Sequence, residues 1–371
     1  MKMQTFAAVV AALSISHAQA LDLQVKDKQF DPGHIGFAPD GARACLAGSS
    51  FDPDVAQNSG ELMVVDYKRN ALLWKKHIPA PEDSVALKAA QCTFSGDHVY
   101  VLANVNTQSS QTLNQTLVYL YQFDADGKQV GFKELGVPGR NKFGYAIGPS
   151  ASGVQVAGYI KDDDKDFEYY SLFTIPVDKR LTEGKANIRK TGAFGSSAAA
   201  RFVGENLHIA DKFMPAKLSK NDLPSDYAHS RVLANGGYAW SLRPYKKEVR
   251  NVKSAISAQG AIYSLADDYG TSMLGVTSAE GKQLSLASYE SKFCKTRSIA
   301  EFGSAVIAVR QPCSGKGKAE LLSIAPATGK ENPVVLAQGE PVFVTTNDGN
   351  WFLVTKDGKG RMALDVGAIK E

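Results

Sequence analysis

Short apolar runs separated by polar turns recur along almost the whole chain. Runs rich in Val, Ile, Leu, Tyr and Phe, such as His98 to Asn104 and Thr116 to Phe123, are bounded by clusters of Gly, Asp, Asn, Ser and Pro. This pattern is typical of β-strands, and long amphipathic helix patterns are hard to find. The sequence therefore predicts an almost entirely β protein.

The predicted strands fall into a repeating unit. Each unit has a small-residue strand, a turn, an apolar strand, a variable loop, another apolar strand and a turn such as Asp126-Gly127-Lys128. We count about seven units. They begin near Ile35, Ala89, Phe143, Ala199, Ala255, Thr296 and Pro341. The last unit is one strand short, and the segment from Leu21 to Phe30 is the natural piece to complete it.

A unit of this size cannot bury both faces of a small sheet by itself. Neighbouring units must therefore stack, and radial closure removes the exposed sheet edges. We expect an all-β fold with a single domain over residues 21–371, a seven-bladed β-propeller in which the N-terminal strand closes the last blade. An open pair of β-sandwiches is the alternative arrangement of the same strands.

One unit ends in a segment with a family resemblance. The run Val65-Asp66-Tyr67-Lys68-Arg69-Asn70-Ala71-Leu72-Leu73-Trp74 resembles the blade ending of quinoprotein-like and WD40-like propellers, in which an Asp, a Thr-Gly turn and a Trp are regularly spaced. Asn70 stands at the Gly position, which is compatible because both residues tolerate a left-handed backbone. The run Ser323 to Lys330 has the same turn without the Trp. The resemblance covers turn signatures and implies the fold, not an activity.

The first residues have the features of a secretory signal. A basic start at Lys2, an apolar run from Phe6 to Leu13 and the site Ala18-Gln19-Ala20 describe a cleaved segment of residues 1–20. No later apolar run is long enough to cross a membrane. We expect a soluble protein that is periplasmic or secreted.

The four cysteines predict two disulfides, because an even count in an exported chain favours bridges over metal binding. Cys294 and Cys313 flank two strand-like runs joined by a turn around Phe302-Gly303, and antiparallel pairing would set them nearly opposite each other. Cys45 and Cys92 then form the second bridge, which joins two successive units.

Composition and motifs narrow the function classes. The net charge of +4 on 371 residues is too small and too dispersed to predict a nucleic-acid partner. No histidine pair has metal-ligand spacing, and no nucleophile elbow, phosphate loop or dinucleotide motif is present. We therefore predict no catalytic residue of these kinds, no metal and no cofactor.

The repeats vary most between their second and third strands. In the first four units this connection is expanded, over Ser49 to Gly60, Val105 to Gln115, Lys161 to Glu168 and Lys212 to Tyr227, whereas units five and seven have a tight turn. Equivalent connections of a radial repeat emerge on one rim, so we expect these four to gather on one face. Tolerated drift is the alternative, because lengthening a surface loop costs little.

The expanded connections carry apolar anchors among charges, as partner-binding surfaces do. The predicted partner-binding residues are Phe51, Asp52, Asp54, Asp162, Asp163, Asp164, Lys212, Phe213, Met214 and Tyr227. We expect a non-enzymatic propeller that binds a protein or an extended ligand, for example a neutraliser of a toxin or enzyme, or an assembly scaffold. The alternative is a propeller enzyme, such as a glycan hydrolase or lyase, with carboxylates assembled at the channel mouth from distant blades.

Overall fold

The structure is a computed structural model of the chain. It describes residues 20–24, 30–52, 57–82, 84–107, 115–161, 170–193, 199–213, 226–245, 249–268, 270–334, 336 and 339–368. The described residues form β-strands, turns and irregular segments, without a helix. Accordingly, this part of the chain contains no helix able to cross a membrane.

The strands succeed one another in antiparallel groups of four, called units 1 to 7 from here on. Unit 1 consists of β2 (Asp31–Phe37), β3 (Arg43–Asp52), β4 (Gln57–Asp66) and β5 (Ala71–Ile78). Unit 2 consists of β6 (Ser84–Ser95), β7 (His98–Thr107), β8 (Gln115–Phe123) and β9 (Gln129–Glu134). Unit 3 consists of β10 (Asn141–Pro149), β11 (Gly153–Lys161), β12 (Tyr170–Asp178) and β13 (Asn187–Ala193).

The remaining units repeat this order. Unit 4 consists of β14 (Ala199–Val203), β15 (Asn206–Phe213), β16 (Asp226–Val232) and β17 (Tyr238–Leu242). Unit 5 consists of β18 (Lys253–Ile256), β19 (Ile262–Asp268), β20 (Thr271–Thr277) and β21 (Gln283–Glu290). Unit 6 consists of β22 (Phe293–Phe302), β23 (Ala305–Pro312), β24 (Glu320–Ile324) and β25 (Glu331–Pro333). Unit 7 consists of β26 (Glu340–Asn347), β27 (Asn350–Lys356), β28 (Met362–Ala368) and the N-terminal β1 (Leu21–Asp22).

The units form six hydrogen-bonded sheets, because a single parallel bridge between Asn58 and Ala86 joins units 1 and 2 into one sheet of eight strands. The N-terminal strand β1 pairs with β28, with Leu21 opposite Leu364. It is shorter than the predicted segment from Leu21 to Phe30. It ends before Gln24, whose left-handed φ of 52° turns the chain away.

The first strands of the units surround a common axis. Each contacts the first strand of the next unit, from β2 through β6, β10, β14, β18 and β22 to β26, and β26 in turn contacts β2. The apolar core lies between units, as in the cluster that packs Leu102 of unit 2 against Phe173 of unit 3. The cluster of Leu46 and Phe352 joins unit 1 to unit 7 in the same way. Stacking of neighbours is therefore how each unit buries its faces.

Aromatic residues on fourth strands pack on glycine turns of the next unit. The Trp74 ring lies 2.6 Å from the position that a Cβ on Gly127 would take, and its indole N–H donates to the carbonyl of Ala125 at 2.9 Å. Trp240 packs in the same way on Gly281 and donates to Ala279 at 3.0 Å. The sequence resemblance identified the Trp ending only at Trp74, and the structure adds Trp240.

Both predicted disulfides are confirmed. Cys45 on β3 is bonded to Cys92 on β6, 47 positions later in the chain, and this bridge ties unit 1 to unit 2. Cys294 is bonded to Cys313 within unit 6. Two bridges fit folding in an oxidising compartment.

Three of the four expanded connections are shorter than the sequence predicted, and the third keeps its length of eight residues, shifted by one position. They cover residues 53–56, 108–114, 162–169 and 214–225, because the strand ladders continue into polar residues. In unit 1, for example, Ser50 pairs with Ser59 across β3 and β4. Polar side chains do not end a strand when the backbone hydrogen bonds continue.

Candidate functional site

The strands that lead into the four expanded connections end on one side of the ring. In each unit the second strand ends beside the start of the first, as where Thr107 pairs with Ser84. Because all units have this order, the connections after their second strands emerge on the same side, called the long-loop face. The four expanded connections themselves lie outside the described residues.

The structure describes only some of the predicted partner-binding residues. Asp54, Asp162, Asp163, Asp164 and Met214 lie outside the described residues, and only the backbone is described at Asp52 and Phe213. Phe51 is 36% exposed at the end of β3, and Lys212 is half-buried at the end of β15.

Tyr227 corrects the prediction at one position. It is 2% exposed, packs against Tyr245 between units 4 and 5, and shares a hydrogen bond of 2.7 Å with the hydroxyl of Ser254. It therefore supports the base of the loop 214–225 from inside and cannot belong to an exposed surface.

A polar cluster braces the base of the first expanded connection. The Glu61 carboxylate is 7% exposed, accepts a hydrogen bond from Ser50 at 3.1 Å and lies 2.9 Å from Nδ1 of His77. Lys75 approaches the same carboxylate at 3.5 Å. These contacts hold β3, β4 and β5 together where the connection 53–56 leaves the sheet.

A buried carboxylate stands at the base of the third and fourth connections. Asp211 at the end of β15 is fully buried and accepts a hydrogen bond from the backbone N–H of Lys212 at 2.7 Å. Burial, reinforced by the Asp211 charge, raises the pKa of Tyr145 and Tyr159 above the usual value. Both phenols are therefore protonated at neutral pH.

A buried histidine network lies between units 4 and 5. Nε2 of His229 is 2.7 Å from the Ser264 hydroxyl, and Nδ1 is 2.7 Å from the Thr277 hydroxyl. Ser264 also contacts the hydroxyl of Ser254 at 2.5 Å. A serine beside a histidine is the atom pair of a hydrolytic nucleophile, but His229, Ser264 and Thr277 are all fully buried. No substrate reaches them, so the network acts in packing.

This histidine predicts a pH dependence of stability. Burial lowers the pKa of His229 to about 3, so the folded protein keeps it neutral while the unfolded chain is protonated below about pH 6.5. Protonation then favours unfolding, and the free energy of unfolding contributed here falls by about 1.4 kcal/mol per pH unit from about 6.5 towards 3.

We expect His229→Gln to remove that slope when urea unfolding is measured between neutral and mildly acidic pH. The control is Ala327→Gln, because Ala327 is exposed and does not titrate, so its substitution should leave the slope unchanged. An unchanged slope in His229→Gln would contradict the neutral buried state.

The axis is basic at the long-loop face. Lys88 on β6 and Lys295 on β22 are exposed, Lys253 on β18 is partly covered, and all three lie in the first part of their strands. Their charges act on one another: burial lowers the pKa of Lys253, and the charges of Lys88 and Lys295 lower it further, while Asp31 on β2 acts against them. Three lysines from three units therefore lie near the long-loop ends of their first strands.

Polar side chains reach across the axis behind these lysines. Gln91 on β6 donates to the carbonyl of Ala200 at 3.3 Å and accepts from the backbone N–H of Ile147 at 3.1 Å. Arg201 donates to the carbonyl of Ile256 at 3.2 Å. These bonds join the first strands of units 2, 3, 4 and 5.

The charge of Arg201 also acts on His34 of β2. Burial, with the nearby charge of Arg201, lowers the pKa of His34 to about 3, so this ring is neutral at physiological pH. Arg201 in turn lies in the field of Glu301 and Asp348, which follow later in their units than the three lysines. Carboxylates thus occur towards both ends of the first strands, with Asp31 and Glu340 on the long-loop side and Glu301 and Asp348 on the opposite side.

Sequence reasoning missed the basic charge at these ends of the first strands. Each lysine stands alone in its own strand, and no local pattern relates positions 88, 253 and 295. Only the predicted radial arrangement, combined with the position of each lysine near the start of a first strand, contained a signal for it.

The described residues contain no group of three His, Cys, Asp or Glu side chains arranged to hold a metal ion. A groove of about 590 Å³ lies between units 2 and 3, where His98, Phe132, Lys179 and Leu181 are among the residues that line it. It borders the turn between β12 and β13, which is on the face opposite the expanded connections.

No protein-family model matches the chain, and no curated protein matches its sequence. Solved structures do match. The polysaccharide lyase Uly1 is similar with a TM-score of 0.57 at 8% identity, over 96% of this chain and 100% of that chain. The Dos1 propeller is similar with a TM-score of 0.52 at 8% identity, over 91% and 92%. The β-propeller domain of the Trilobed protease from Pyrococcus furiosus has a TM-score of 0.51 at 7% identity, over 93% and 97%.

At identities of 7–8% these likenesses show the fold alone. The protein has an all-β, β-propeller fold, and the propeller resemblance seen in its turn signatures is confirmed.

Proposed function

We propose that this protein is an exported, seven-bladed β-propeller that binds another protein through its long-loop face and performs no catalysis. The observation that carries the proposal is the unequal length of the connections between the second and third strands of the units. The connection after the second strand has twelve residues in unit 4 (214–225), eight in unit 3 (162–169), seven in units 2 and 6 (108–114 and 313–319), five in unit 7 (357–361), four in unit 1 (53–56) and two in unit 5 (269–270). Loops displayed together on a rigid scaffold are a common basis of binding.

The count of seven blades rests on the units and their contacts. Each of the units 1 to 7 has four strands when β1 is assigned to the last, and the first strands contact one another in a cycle. Completing the last unit with the N-terminal strand joins the two ends of the chain in one sheet, which removes an open edge.

Export is supported by two independent features. Residues 1–20 have the composition of a cleaved signal, and both disulfides fit an oxidising compartment. A periplasmic or secreted protein of this kind suits a neutraliser of a toxin or enzyme, or an assembly scaffold.

The second candidate is a glycan hydrolase or lyase, because the propeller fold also occurs in the polysaccharide lyase Uly1. Glycoside hydrolysis needs two carboxyl groups flanking the scissile bond. Among the described residues, the first strands carry Lys88, Lys253 and Lys295 near their long-loop ends, together with the carboxylates of Asp31 and Glu340, of which Glu340 lies 3.5 Å from Arg297. This charge balance favours binding over a carboxylate pair.

The proposal predicts that the four loops are needed for binding but not for folding. We would replace residues 53–56, 108–114, 162–169 and 214–225 by the two-residue connection Tyr269-Gly270 of unit 5. The partner should be lost, as measured by affinity capture from the exported fraction of the native host followed by mass spectrometry after a salt wash. Thermal unfolding should change little, since shortening surface loops costs little.

The matched control changes Lys128 and Lys282, exposed turn residues of the opposite face, to alanine. It should capture the same partner as the wild type. If the loop-replaced protein captures that partner equally well, the long-loop face is not the binding surface.

A further inference from the structure

The groove between units 2 and 3 lies where a packing pair seen elsewhere in the ring is reversed. In units 1 and 4 a tryptophan of the fourth strand, Trp74 or Trp240, packs on a turn glycine of the next unit. The equivalent residue of unit 2 is Gly131, since each of the three follows the register shift between the third and fourth strands of its unit. It meets Leu181, whose side chain is 2.8 Å from the place of a Cβ on Gly131. A leucine fills less space than a tryptophan, and the groove of about 590 Å³ remains open.

Leu181 holds a backbone conformation that is unfavourable for leucine. Its φ of 59° lies in the left-handed region, where Gly127 and Gly281 stand at the same place of their turns. All three turns close alike, with a backbone hydrogen bond between the residue three positions before and the residue one position after. Strained residues of this kind cluster at binding sites.

The fourth strand of unit 2, β9, presents an open edge to this groove. It is the last strand of its sheet, and four successive residues of it, 130–133, line the groove. The backbone N–H of Leu135 donates to the carbonyl of the opposite Val118 at 2.8 Å, and bonded and non-bonded pairs alternate along an antiparallel ladder. The N–H and C=O of Phe132 therefore point away from β8 to the open edge, where no strand among the described residues pairs with them.

The opposite wall of the groove is basic. Lys179 and Arg180 are exposed and line the groove, and among the described residues no ion pair involves either. Lys133 also lines it but is paired with Glu183 at 3.1 Å. The Asp178 carboxylate accepts backbone N–H groups of its own turn, and no carboxylate is among the described residues that line the groove. Positive charge thus stands beside free backbone donors and acceptors.

We propose that the groove between units 2 and 3 binds an extended segment of a partner protein, which adds as a further strand to β9 and places an acidic side chain beside Lys179 and Arg180. Added strands gain affinity from backbone hydrogen bonds and specificity from the side chains that flank them. A second copy of this chain is disfavoured, since its own β9 would bring the same cations to the groove. The groove is on the face opposite to the long-loop face, so this site goes beyond the proposed function.

The first test addresses the backbone pairing. It uses the mature chain and a fluorescein-labelled peptide of alternating glutamate and threonine, with affinity measured by fluorescence anisotropy. Phe132→Pro removes the outward N–H and leaves the ladder bonds to β8 in place, whereas Phe132→Ala removes the ring and keeps the N–H. We expect Phe132→Pro to bind at least about fivefold more weakly than Phe132→Ala. Equal affinities of the two variants would overturn the inference.

The second test fills the groove. Gly131→Trp with Leu181→Gly restores the packing pair of units 1 and 4, and the new glycine relieves the left-handed backbone at position 181. We expect this double variant to keep its thermal unfolding temperature and to lose peptide binding. If it folds and binds the peptide as tightly as the wild type, the groove is not the site.

The third test addresses the charges. Lys179→Gln with Arg180→Gln should weaken binding about three- to tenfold. The matched control is Lys282→Gln with Lys330→Gln, which removes the same charge from exposed turns of units 5 and 6 on the same face and should keep wild-type affinity. Equal loss in both variants would mean that net charge alone attracts the peptide, and equal binding of a lysine and threonine peptide would remove the acidic selection. Either result would overturn the inference.

Two further measurements separate this site from other occupants and from the long-loop face. Sedimentation equilibrium without peptide detects a second copy, and a dimer that Phe132→Pro dissociates would overturn the proposed acidic segment. The loop-replaced protein should bind the peptide like the wild type, because its altered connections lie on the other side of the ring. Failure of partner capture by the loops and failure of peptide binding in the groove are therefore separate results.

Discussion

Replacing Arg310 by methionine is expected to destabilise the protein by about 3–5 kcal/mol, because it leaves a buried carboxylate without its cation. Arg310 on β23 is fully buried, and its guanidinium forms ion pairs with Asp267 and Glu331. It also donates to the hydroxyl of Ser272 at 2.8 Å. Asp267 is 1% exposed and belongs to unit 5, so this pair joins two units.

The measurement is equilibrium unfolding in guanidinium chloride. Arg297→Met is the matched control, since Arg297 lies 3.5 Å from Glu340 with about a third of each side chain exposed, and its loss should cost less than about 1 kcal/mol. Equal losses of unfolding free energy in the two variants would contradict the prediction that the buried Arg310 ion pairs cost more to break than an exposed one.

A second variant separates loss of the cation from loss of packing. The double variant Arg310→Met, Asp267→Leu removes the buried Asp267 carboxylate together with its Arg310 cation. We expect this pair to recover part of the stability lost in Arg310→Met, because replacing a buried ion pair by apolar residues is often neutral or stabilising. Recovery would be incomplete, since Asp267 also accepts from the backbone N–H and hydroxyl of Thr296 at 2.9 and 2.8 Å.

Removing the bridge between Cys45 and Cys92 by alanine substitution is expected to cost about 4 kcal/mol on the chain-entropy model of loop closure. The two cysteines are 47 positions apart and fully buried in the cluster that packs units 1 and 2. Truncation of buried sulfur atoms adds a packing loss to the entropic one. Urea unfolding without reductant measures the change.

The comparison is Cys294→Ala with Cys313→Ala, which opens a bridge across 19 positions within unit 6. Its cost on the same model is about 3 kcal/mol, and Cys313 is exposed, so the packing loss is smaller. A larger effect for this bridge than for Cys45 and Cys92 would contradict both parts of the argument.

The sequence by itself determined the strand content and the order of the repeat. Alternating apolar residues and turns such as Asp126-Gly127 act within a few neighbouring positions, so their effect is visible locally. The pairing of Cys294 with Cys313 followed from the same local reasoning, and the pairing of Cys45 with Cys92 followed as the remaining pair. Strand ends were less visible, because a polar pair such as Ser50 and Ser59 continues the ladder through backbone hydrogen bonds that the side chains do not signal.

Only the tertiary structure decided which side chains meet. Tyr227 is a plausible surface anchor in sequence, yet it is buried because the first strand of unit 5 places Ser254 against its hydroxyl. Arg310 reaches Asp267 across 43 positions, from unit 6 to unit 5. Contacts between units depend on how whole sheets stack about an axis, and no local pattern of residues encodes how close two residues of different units come.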